Sequence, residues 1–351
     1  MSSNTDRNIV PLKKQGLSRY SSDLIKKGLD LANKSQYIDG ECLQPPQAPT
    51  KEVEELLKCG KEKLGRLDCI SRNYYRGAFE DFNQALRINP NCAEAYKNRG
   101  DARAELGDYQ YAIEDYTQAL RINPNDGWVY YERGDARTKL GDCQGAIDDF
   151  TQSLRITPDN VFVYYERGDA RKELGDYQGA TDDFTQVLRI DPLWFWKAYY
   201  LRGRARAELG NYQGAIEDFT QYIDFDCTHG LSYYHRGNAR YKLGEYQSAI
   251  DDYNQALHID PDGAGQVSRF GEDDDYTDSD IYINRGNARY KLGEYQSAID
   301  DYTQALQIAP KNVEAYNGRS KARYALGDTQ GALEDLREAI AAKADYDKSE
   351  L

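Results

Sequence analysis

The chain has 351 residues, enough for two or three ordinary domains or for one elongated repeat domain. Its 59 acidic residues outnumber its 45 lysines and arginines, and the formal net charge of -14 argues against nucleic acid or anionic membranes as partners. The mean hydropathy is -0.85, and no apolar run approaches the roughly 18 residues of a membrane span. The opening stretch MSSNTDRNIVPLKKQGLSRY lacks the apolar core of a signal peptide, which predicts a cytoplasmic location.

Residues 1–50 are interpreted as a polar N-terminal arm. They contain one amphipathic pattern, SSDLIKKGLDLANK at 21–34, and end in the proline-containing linker QPPQAP. The pattern predicts a short helix with Leu24, Ile25 and Leu29 partly on one side. Three roles remain open for this arm: it covers the first repeat, it docks onto a partner or onto its own chain, or it is disordered.

Small residues then recur with a period close to 34 residues, at Gly100, Gly134, Gly168, Gly203, Gly237 and Gly286, with Ser320 in the last place. Within the unit 127–160, the pattern predicts a first helix over about 129–140 and a second over about 144–156, which ends before Pro158. The small residues Gly134 and Ala146 allow the two helices to approach closely. A period of this length is typical of arrays of helix–turn–helix repeats.

This unit carries the skeleton YxxRGxxR at 130–137 and AxxxF at 146–150, followed by Pro158, and so resembles the tetratricopeptide repeat family. Seven full units cover about residues 93–344, and a degenerate unit precedes them, so that the array spans 51–344. The resemblance implies an all-α fold, a right-handed α-solenoid superhelix of antiparallel helix pairs. It also implies that the first helices line a concave groove, and that the array serves as a scaffold for other proteins.

Arginine replaces the usual residues of the family skeleton at two positions, for example at Arg133 and Arg137, in all seven full units. A lone buried arginine would be very costly, so each one needs a partner. Aspartate recurs 16 residues after the first arginine of each unit. We therefore predict a structural ladder of ion pairs, some crossing to the next unit, made of Arg99, Asp115, Arg133, Asp149, Arg167, Asp183, Arg202, Asp218, Arg236, Asp252, Arg285, Asp301, Arg319 and Asp335. The preceding acids, such as Glu114 and Asp148, are candidate partners for the second arginines.

Two further segments interrupt or end the array. The acidic insertion at 264–278 reads AGQVSRFGEDDDYTD, and it is expected to be a mobile linker, a lid over the neighbouring groove or a docking site for a basic partner. Residues 345–351 are expected to form a C-terminal tail. Repeat arrays usually need a polar cap, so an uncapped last helix would be able to pair with another copy of the chain.

The first-helix face that lies opposite the packing face carries the candidate partner-binding residues. They are Lys97, Asp101, Tyr131, Asp135, Tyr165, Asp169, Lys172, Tyr200, Arg204, Tyr234, Asn238, Tyr241, Asn287, Tyr290, Asn317 and Tyr324. The early part combines tyrosine with aspartate, and the later part combines tyrosine with asparagine. Tyrosine suits binding surfaces and asparagine can bond a peptide backbone, so we expect a peptide or protein segment there, with basic side chains favoured at the early end. The alternative is that the tyrosines pack between neighbouring first helices.

The sequence contains no arrangement of nucleophile and base, no phosphate-binding glycine loop and no spacing of Cys or His typical of a metal site. We therefore expect a non-enzymatic interaction scaffold or adaptor without cofactors. Two alternatives stay open: a structural or regulatory protein that self-assembles through its terminal helices, and the regulatory subunit of an effector whose catalytic chain is separate.

Overall fold

A computed structural model describes residues 50–64, 72–259 and 277–349 of the chain. Over these residues the fold is all-α, as predicted, with sixteen helices and no strand. Nearly all of the N-terminal arm and most of the acidic insertion lie outside the described residues. The end of the insertion begins a helix, because Thr277 and Asp280 form a capping box at its N-terminus.

The helices alternate between the first and the second helix of each repeat, so that odd numbers denote first helices. Their bounds are α1 Lys51–Leu64, α2 Arg72–Ile88, α3 Ala93–Glu105, α4 Tyr109–Ile122, α5 Gly127–Lys139, α6 Cys143–Ile156, α7 Val161–Glu173, α8 Tyr177–Ile190, α9 Lys197–Glu208, α10 Tyr212–Phe225, α11 Gly230–Lys242, α12 Tyr246–Ile259, α13 Asp278–Lys291, α14 Tyr295–Ile308, α15 Val313–Ala325 and α16 Thr329–Ser349. The last helix therefore continues into the residues that were expected to form a tail.

The chain divides into two compact units, Met1–Val163 and Tyr164–Leu351, which we call unit 1 and unit 2. Within each unit, consecutive helices pack against each other, for example α5 with α6 in unit 1 and α15 with α16 in unit 2, as in a solenoid of helix pairs. Consecutive first helices also contact each other, for example α3 with α5 in unit 1 and α13 with α15 in unit 2. Consecutive second helices share no comparable contact among the described residues, so the first helices form the more tightly packed side of each unit.

A left-handed glycine ends each first helix of the full repeats. Gly141 has a φ of 77°, a conformation that favours glycine, and the amide of Asp142 then bonds back to the carbonyl of Arg137. The side chain of Asp142 accepts a bond from the amide of Gly145 and so caps the second helix. This turn reverses the chain direction within two residues and makes the two helices antiparallel.

Each repeat except the last is built around one buried aromatic ring on its second helix. The Phe150 ring is fully buried, and a Cβ atom built at Gly134 would lie 2.6 Å from its Cε1 atom, so the first helix needs glycine there. The last repeat has Leu336 in place of the ring and tolerates Ser320 in place of glycine. The Ser320 hydroxyl then donates to the carbonyl of Ala332 at 2.8 Å.

Candidate functional site

A layer of arginine–aspartate pairs joins the two helices of each full repeat. In the second repeat, Arg133 donates from Nε and Nη2 to the two carboxylate oxygens of Asp149, at 2.9 and 2.6 Å. Asp149 is 2% exposed, and a two-pronged bond of this kind fixes both distance and orientation. The structure places the other six predicted pairs in the same way, namely Arg99–Asp115, Arg167–Asp183, Arg202–Asp218, Arg236–Asp252, Arg285–Asp301 and Arg319–Asp335.

The second arginine of each repeat binds this same aspartate. Arg137 donates from Nη1 to Asp149 at 2.8 Å and to the carbonyl of Gly145 at 2.9 Å. The expectation that Glu114 and Asp148 bind the second arginines is therefore wrong. Adjacent positions on a helix differ by about 100° in direction, so Asp148 faces outward, where the Gln144 side chain donates to it.

The connection between repeats also differs from the expectation. Each described Arg–Asp pair of the ladder lies within its own repeat, and none crosses to the next. The remaining nitrogen, Nη1 of Arg133, instead donates to Thr117 Oγ1 of the preceding repeat at 3.1 Å. The same contact to a hydroxyl or amide oxygen recurs in Arg99–Asn83, Arg202–Thr185, Arg236–Thr220, Arg285–Asn254 and Arg319–Thr303.

Each first arginine is also stacked on a tyrosine three residues earlier, as Arg133 is on Tyr130 at 5.5 Å from guanidinium carbon to ring centroid. A Thr or Asn recurs two residues after every ladder aspartate except Asp335, and this recurrence was the sign in the sequence of the contact between repeats. The arginine layer thus has a structural role, because the first arginines are held by the ladder aspartate and the tyrosine of their own repeat and by a polar side chain of the preceding repeat.

The opposite face of the first helices carries a cluster of three carboxylates in unit 1: Asp101, Glu132 and Asp135. Burial raises the pKa of Asp101 to about 6 against the lowering effect of Lys97, and Tyr116 donates its hydroxyl to Asp101 at 2.9 Å. Burial, followed by repulsion from Asp101 and Asp135, raises the pKa of Glu132 well above its usual value. Burial also raises the pKa of Asp135. Glu132 was not among the predicted residues of this face, because its position directly precedes an arginine of the packing face.

Aromatic rings border this cluster. Tyr131 lies 5.2 Å from the Trp128 ring and 6.0 Å from the buried Phe150 ring, and the Lys97 ammonium lies 6.0 Å from the Trp128 centroid. The face of unit 1 therefore combines acidic groups in a poorly solvated place with rings that can contact a cation.

Tyrosines of the predicted face in unit 2 rest on the buried rings of their own repeats. Centroid distances are 6.0 to 6.3 Å for Tyr165 on Phe184, Tyr200 on Phe219 and Tyr234 on Tyr253. Two predicted charged residues are held close to this layer: Asp169 pairs with Lys172 at 3.0 Å, and the Arg204 guanidinium lies 5.9 Å from the Tyr200 ring.

Predicted asparagines in unit 2 take part in bonds of the fold itself. Asn238 Oδ1 accepts from the Tyr253 hydroxyl at 2.8 Å and from Asn284 Nδ2 at 3.1 Å. Asn284 Nδ2 also donates to the Tyr234 hydroxyl at 3.2 Å. These acceptors are occupied, which makes the asparagines poorer ligands for a peptide backbone than their sequence pattern indicated.

The remaining predicted residues of unit 2 lie further along this face. Asn287 repeats the arrangement of Asn238, with Tyr302 donating to its Oδ1 at 2.8 Å. Tyr241 packs edge-to-face against Tyr246, and Tyr290 packs at a tilt against Tyr295, both with ring centroids 5.4 Å apart. Asn317 is half-buried and Tyr324 is exposed.

Other kinds of site were sought in the same part of the chain. Among the residues that the structure describes, no group of His, Cys, Asp and Glu is placed to hold a metal ion, and Cys59, Cys92, Cys143 and Cys227 form no disulfide. Within these ranges no helix is both long and apolar enough to cross a membrane.

Comparison with known families gives matches along the array. One model described as tetratricopeptide repeat matches residues 93–126, 231–262 and 279–312, and a second of the same description matches 131–193 and 165–226. Curated proteins give no match.

Solved structures of repeat proteins resemble the chain in fold. The C-terminal part of a TPR repeat-containing protein from Cytophaga hutchinsonii is 18% identical with a TM-score of 0.56, and the match covers 76% of this chain and 98% of that one. A tetratricopeptide repeat protein from Parabacteroides merdae is 19% identical with a TM-score of 0.49, over 83% of this chain and 100% of that one. YrrB, described as a TPR protein with an unusual peptide-binding site, is 21% identical with a TM-score of 0.49, over 52% and 94% respectively.

Proposed function

The chain belongs to the tetratricopeptide repeat family, and from that premise we propose that it is a non-enzymatic scaffold whose first-helix face in unit 1 binds a basic segment of another protein. The observation that carries this proposal is the cluster of Asp101, Glu132 and Asp135, three carboxylates held close together with raised pKa values. A cation bound between such carboxylates is favourable, because its charge offsets their mutual repulsion and stabilises their ionised forms.

The arginine layer supports the proposal because the cluster is only partly neutralised within the chain, by Lys97 beside Asp101 and Glu132 and by Lys139 beside Asp135. The ladder aspartates hold the arginines on the packing face of the first helices. Those cations are therefore not directed toward the opposite face, which carries Asp101, Glu132 and Asp135 and which we call the outer face. Lys97 lowers the pKa of Asp101 but does not cancel the effect of burial, since the pKa of that carboxyl still lies at about 6. A lysine or arginine of a partner would supply the missing charge.

The rings beside the cluster fit the same kind of partner. Trp128 and Tyr131 form an aromatic pair next to the carboxylates, and their faces can contact an arginine or lysine side chain. Unit 2 differs, because Asp169, its equivalent of Asp135, is paired with Lys172 at 3.0 Å. Around Asn238 the same face of unit 2 carries hydroxyl and amide groups that bond to one another. We therefore assign the basic part of the partner to unit 1.

An array of labelled synthetic peptides of varied charge tests this assignment directly. We expect lysine- or arginine-containing peptides to bind the full chain in a salt-dependent manner. The double variant Glu132→Gln, Asp135→Asn should bind them about tenfold more weakly or worse, which is the effect of losing one charge-assisted hydrogen bond.

A matched control removes the same two charges elsewhere in unit 1. Glu114 and Asp148 are exposed on second helices, so Glu114→Gln, Asp148→Asn changes the net charge equally and leaves the cluster intact. The control should retain wild-type affinity. Equal weakening in both double variants would mean that only the overall negative charge attracts these peptides, and the site assignment would be withdrawn.

A further inference from the structure

The last helix, α16, exposes a stripe of large apolar side chains. Leu333, Leu336 and Ile340 are 47%, 43% and 71% exposed. They are spaced i, i+3 and i+7, so they lie on one side of the helix. This stripe is separate from the carboxylate cluster of unit 1, and the inference drawn from it does not depend on the proposed function.

The preceding repeat shows what normally covers such a stripe. The equivalents of Leu336 and Ile340 are Tyr302 and Leu306 on α14, which are only 1% and 8% exposed. They are buried because α15 packs across them, with Gly318 so close that a Cβ atom there would lie 2.5 Å from the Tyr302 ring. The stripe on α16 is thus a packing face that another helix would cover.

One more repeat of the same type would not fit on this face. Thr303 on α14 accepts a bond from Nη1 of Arg319 on the incoming helix at 3.2 Å. At the position equivalent to Thr303, α16 carries Arg337, so an incoming arginine would meet a like charge.

The other end of the array offers no apolar match either. The exposed side of α1 is charged, with Glu55, Lys58 and Glu62 among its residues. Packing α1 of a second copy onto the stripe would bury these charged groups without partners, which is costly. The exposed side of α1 is therefore not complementary to the stripe.

We propose that the stripe binds the same stripe of a second copy, so that two α16 helices pack antiparallel about a two-fold axis at Leu336. In that register Leu336 lies opposite Leu336 of the partner subunit, and Leu333 lies within one residue of the position opposite Ile340 of the partner subunit. The charges next to the stripe match as well. Glu334 and Arg337, both exposed on the same edge of α16, lie symmetrically about the axis to within one residue. Each Glu334 then faces Arg337 of the partner subunit, which gives two equivalent ion pairs at the rim of an apolar contact.

Light scattering coupled to size-exclusion chromatography, over a wide range of protein concentration, tests the assembly. We expect the full chain to form a dimer that becomes monomeric on Ile340→Glu. The control Leu193→Glu changes a side chain with the same 71% exposure in the loop before α9, and it should remain dimeric. Thermal unfolding of each variant shows that it is folded. A wild-type chain that is monomeric at every concentration, or that grows beyond a dimer, overturns the proposal.

Charge reversal tests the two-fold register. Glu334→Arg alone and Arg337→Glu alone should each weaken the dimer, because each creates two like-charge contacts across the axis. The double variant E334R/R337E should recover the dimer, since it restores both pairs with their signs exchanged. A double variant as weak as the single ones would exclude this register.

Discussion

The two faces of the first helices differ in how regular they are along the array. On the packing face, the arginine–aspartate layer repeats with the same geometry in every full repeat, from Arg99 in the first to Arg319 in the last. On the outer face, unit 1 carries carboxylates with raised pKa values, and unit 2 carries a hydroxyl–amide network around Asn238. The face that repeats holds the array together, and the face that varies is where one region of the array can be distinguished from another by a partner.

In some repeats the buried ring of the second helix connects the two faces of the first helix. Where that ring is tyrosine, its hydroxyl donates to the outer-face residue on the first helix of the same repeat, in the pairs Tyr116–Asp101, Tyr253–Asn238 and Tyr302–Asn287. Where it carries phenylalanine, as at Phe150, no hydroxyl is present to bond Asp135. A single oxygen atom in the core therefore decides whether the outer-face residue has an internal bond.

The largest expected effect is on the packing face. Asp149→Ala removes the carboxylate shared by Arg133 and Arg137, and we expect the free energy of unfolding to fall by about 3–5 kcal/mol because a buried charge is left without its partner. Urea unfolding measures this change. The neighbouring variant Asp148→Ala lies on the exposed side and should stay within about 0.5 kcal/mol of wild type. If both variants unfolded at the wild-type urea concentration, the arginine layer would not be stabilising the repeat.

A smaller loss of stability is expected on removing the hydroxyl of a buried tyrosine that bonds an outer-face asparagine. Tyr253→Phe removes the donor to Asn238 Oδ1, which keeps its second bond from Asn284, so the loss should be about 0.5–1.5 kcal/mol. Tyr324→Phe serves as the control, because Tyr324 is 70% exposed and its hydroxyl can be hydrated. Equal stability of the two variants would show that the ring hydroxyl does not join the two faces.

The smallest expected effect is a pH dependence of stability that comes from the Asp101 carboxyl, whose place in unit 2 is taken by asparagine at Asn238 and Asn287. The folded pKa of Asp101 is raised to about 6 from an unfolded value near 4. In the window between these values the folded chain binds more protons than the unfolded chain, so the stability contributed by this group falls as pH rises. Asp101→Asn gives unit 1 the amide that unit 2 has at Asn238 and Asn287, and it retains an acceptor for Tyr116.

Thermal midpoints of wild type and Asp101→Asn, measured across that pH window, test this prediction. The variant should be the more stable protein at neutral pH, and the difference should shrink as the solution is acidified. A difference that is constant with pH would mean that the Asp101 carboxyl titrates normally in the folded chain.

Much of the framework could be predicted because it depends on local spacing. The period of the glycines located the helix pairs, and the close approach of Gly134 to Phe150 explains why that period is visible. The separation of 16 residues between Arg133 and Asp149 identified two side chains that meet across one antiparallel turn. Such contacts follow from helix geometry and a short turn alone.

Contacts between repeats were harder to predict, because they depend on how one helix pair rotates against the next. The bond from Arg133 to Thr117 and the approach of Glu132 to Asp101 both cross a repeat boundary. The sharing of Asp149 by two arginines was also missed, since sequence spacing alone does not show which of two adjacent acids faces inward.

By itself, the sequence determined the family, the helix pairs and the positions of the ladder residues, since periodic spacing along a helix fixes which side chains share a face. Only the tertiary structure decided which groups are satisfied within the fold and which remain available. That outcome depends on distances of a few ångströms between side chains of different repeats, where one hydroxyl, as in Tyr253, or one exchanged side chain, as in Arg337, changes the partner of a polar group.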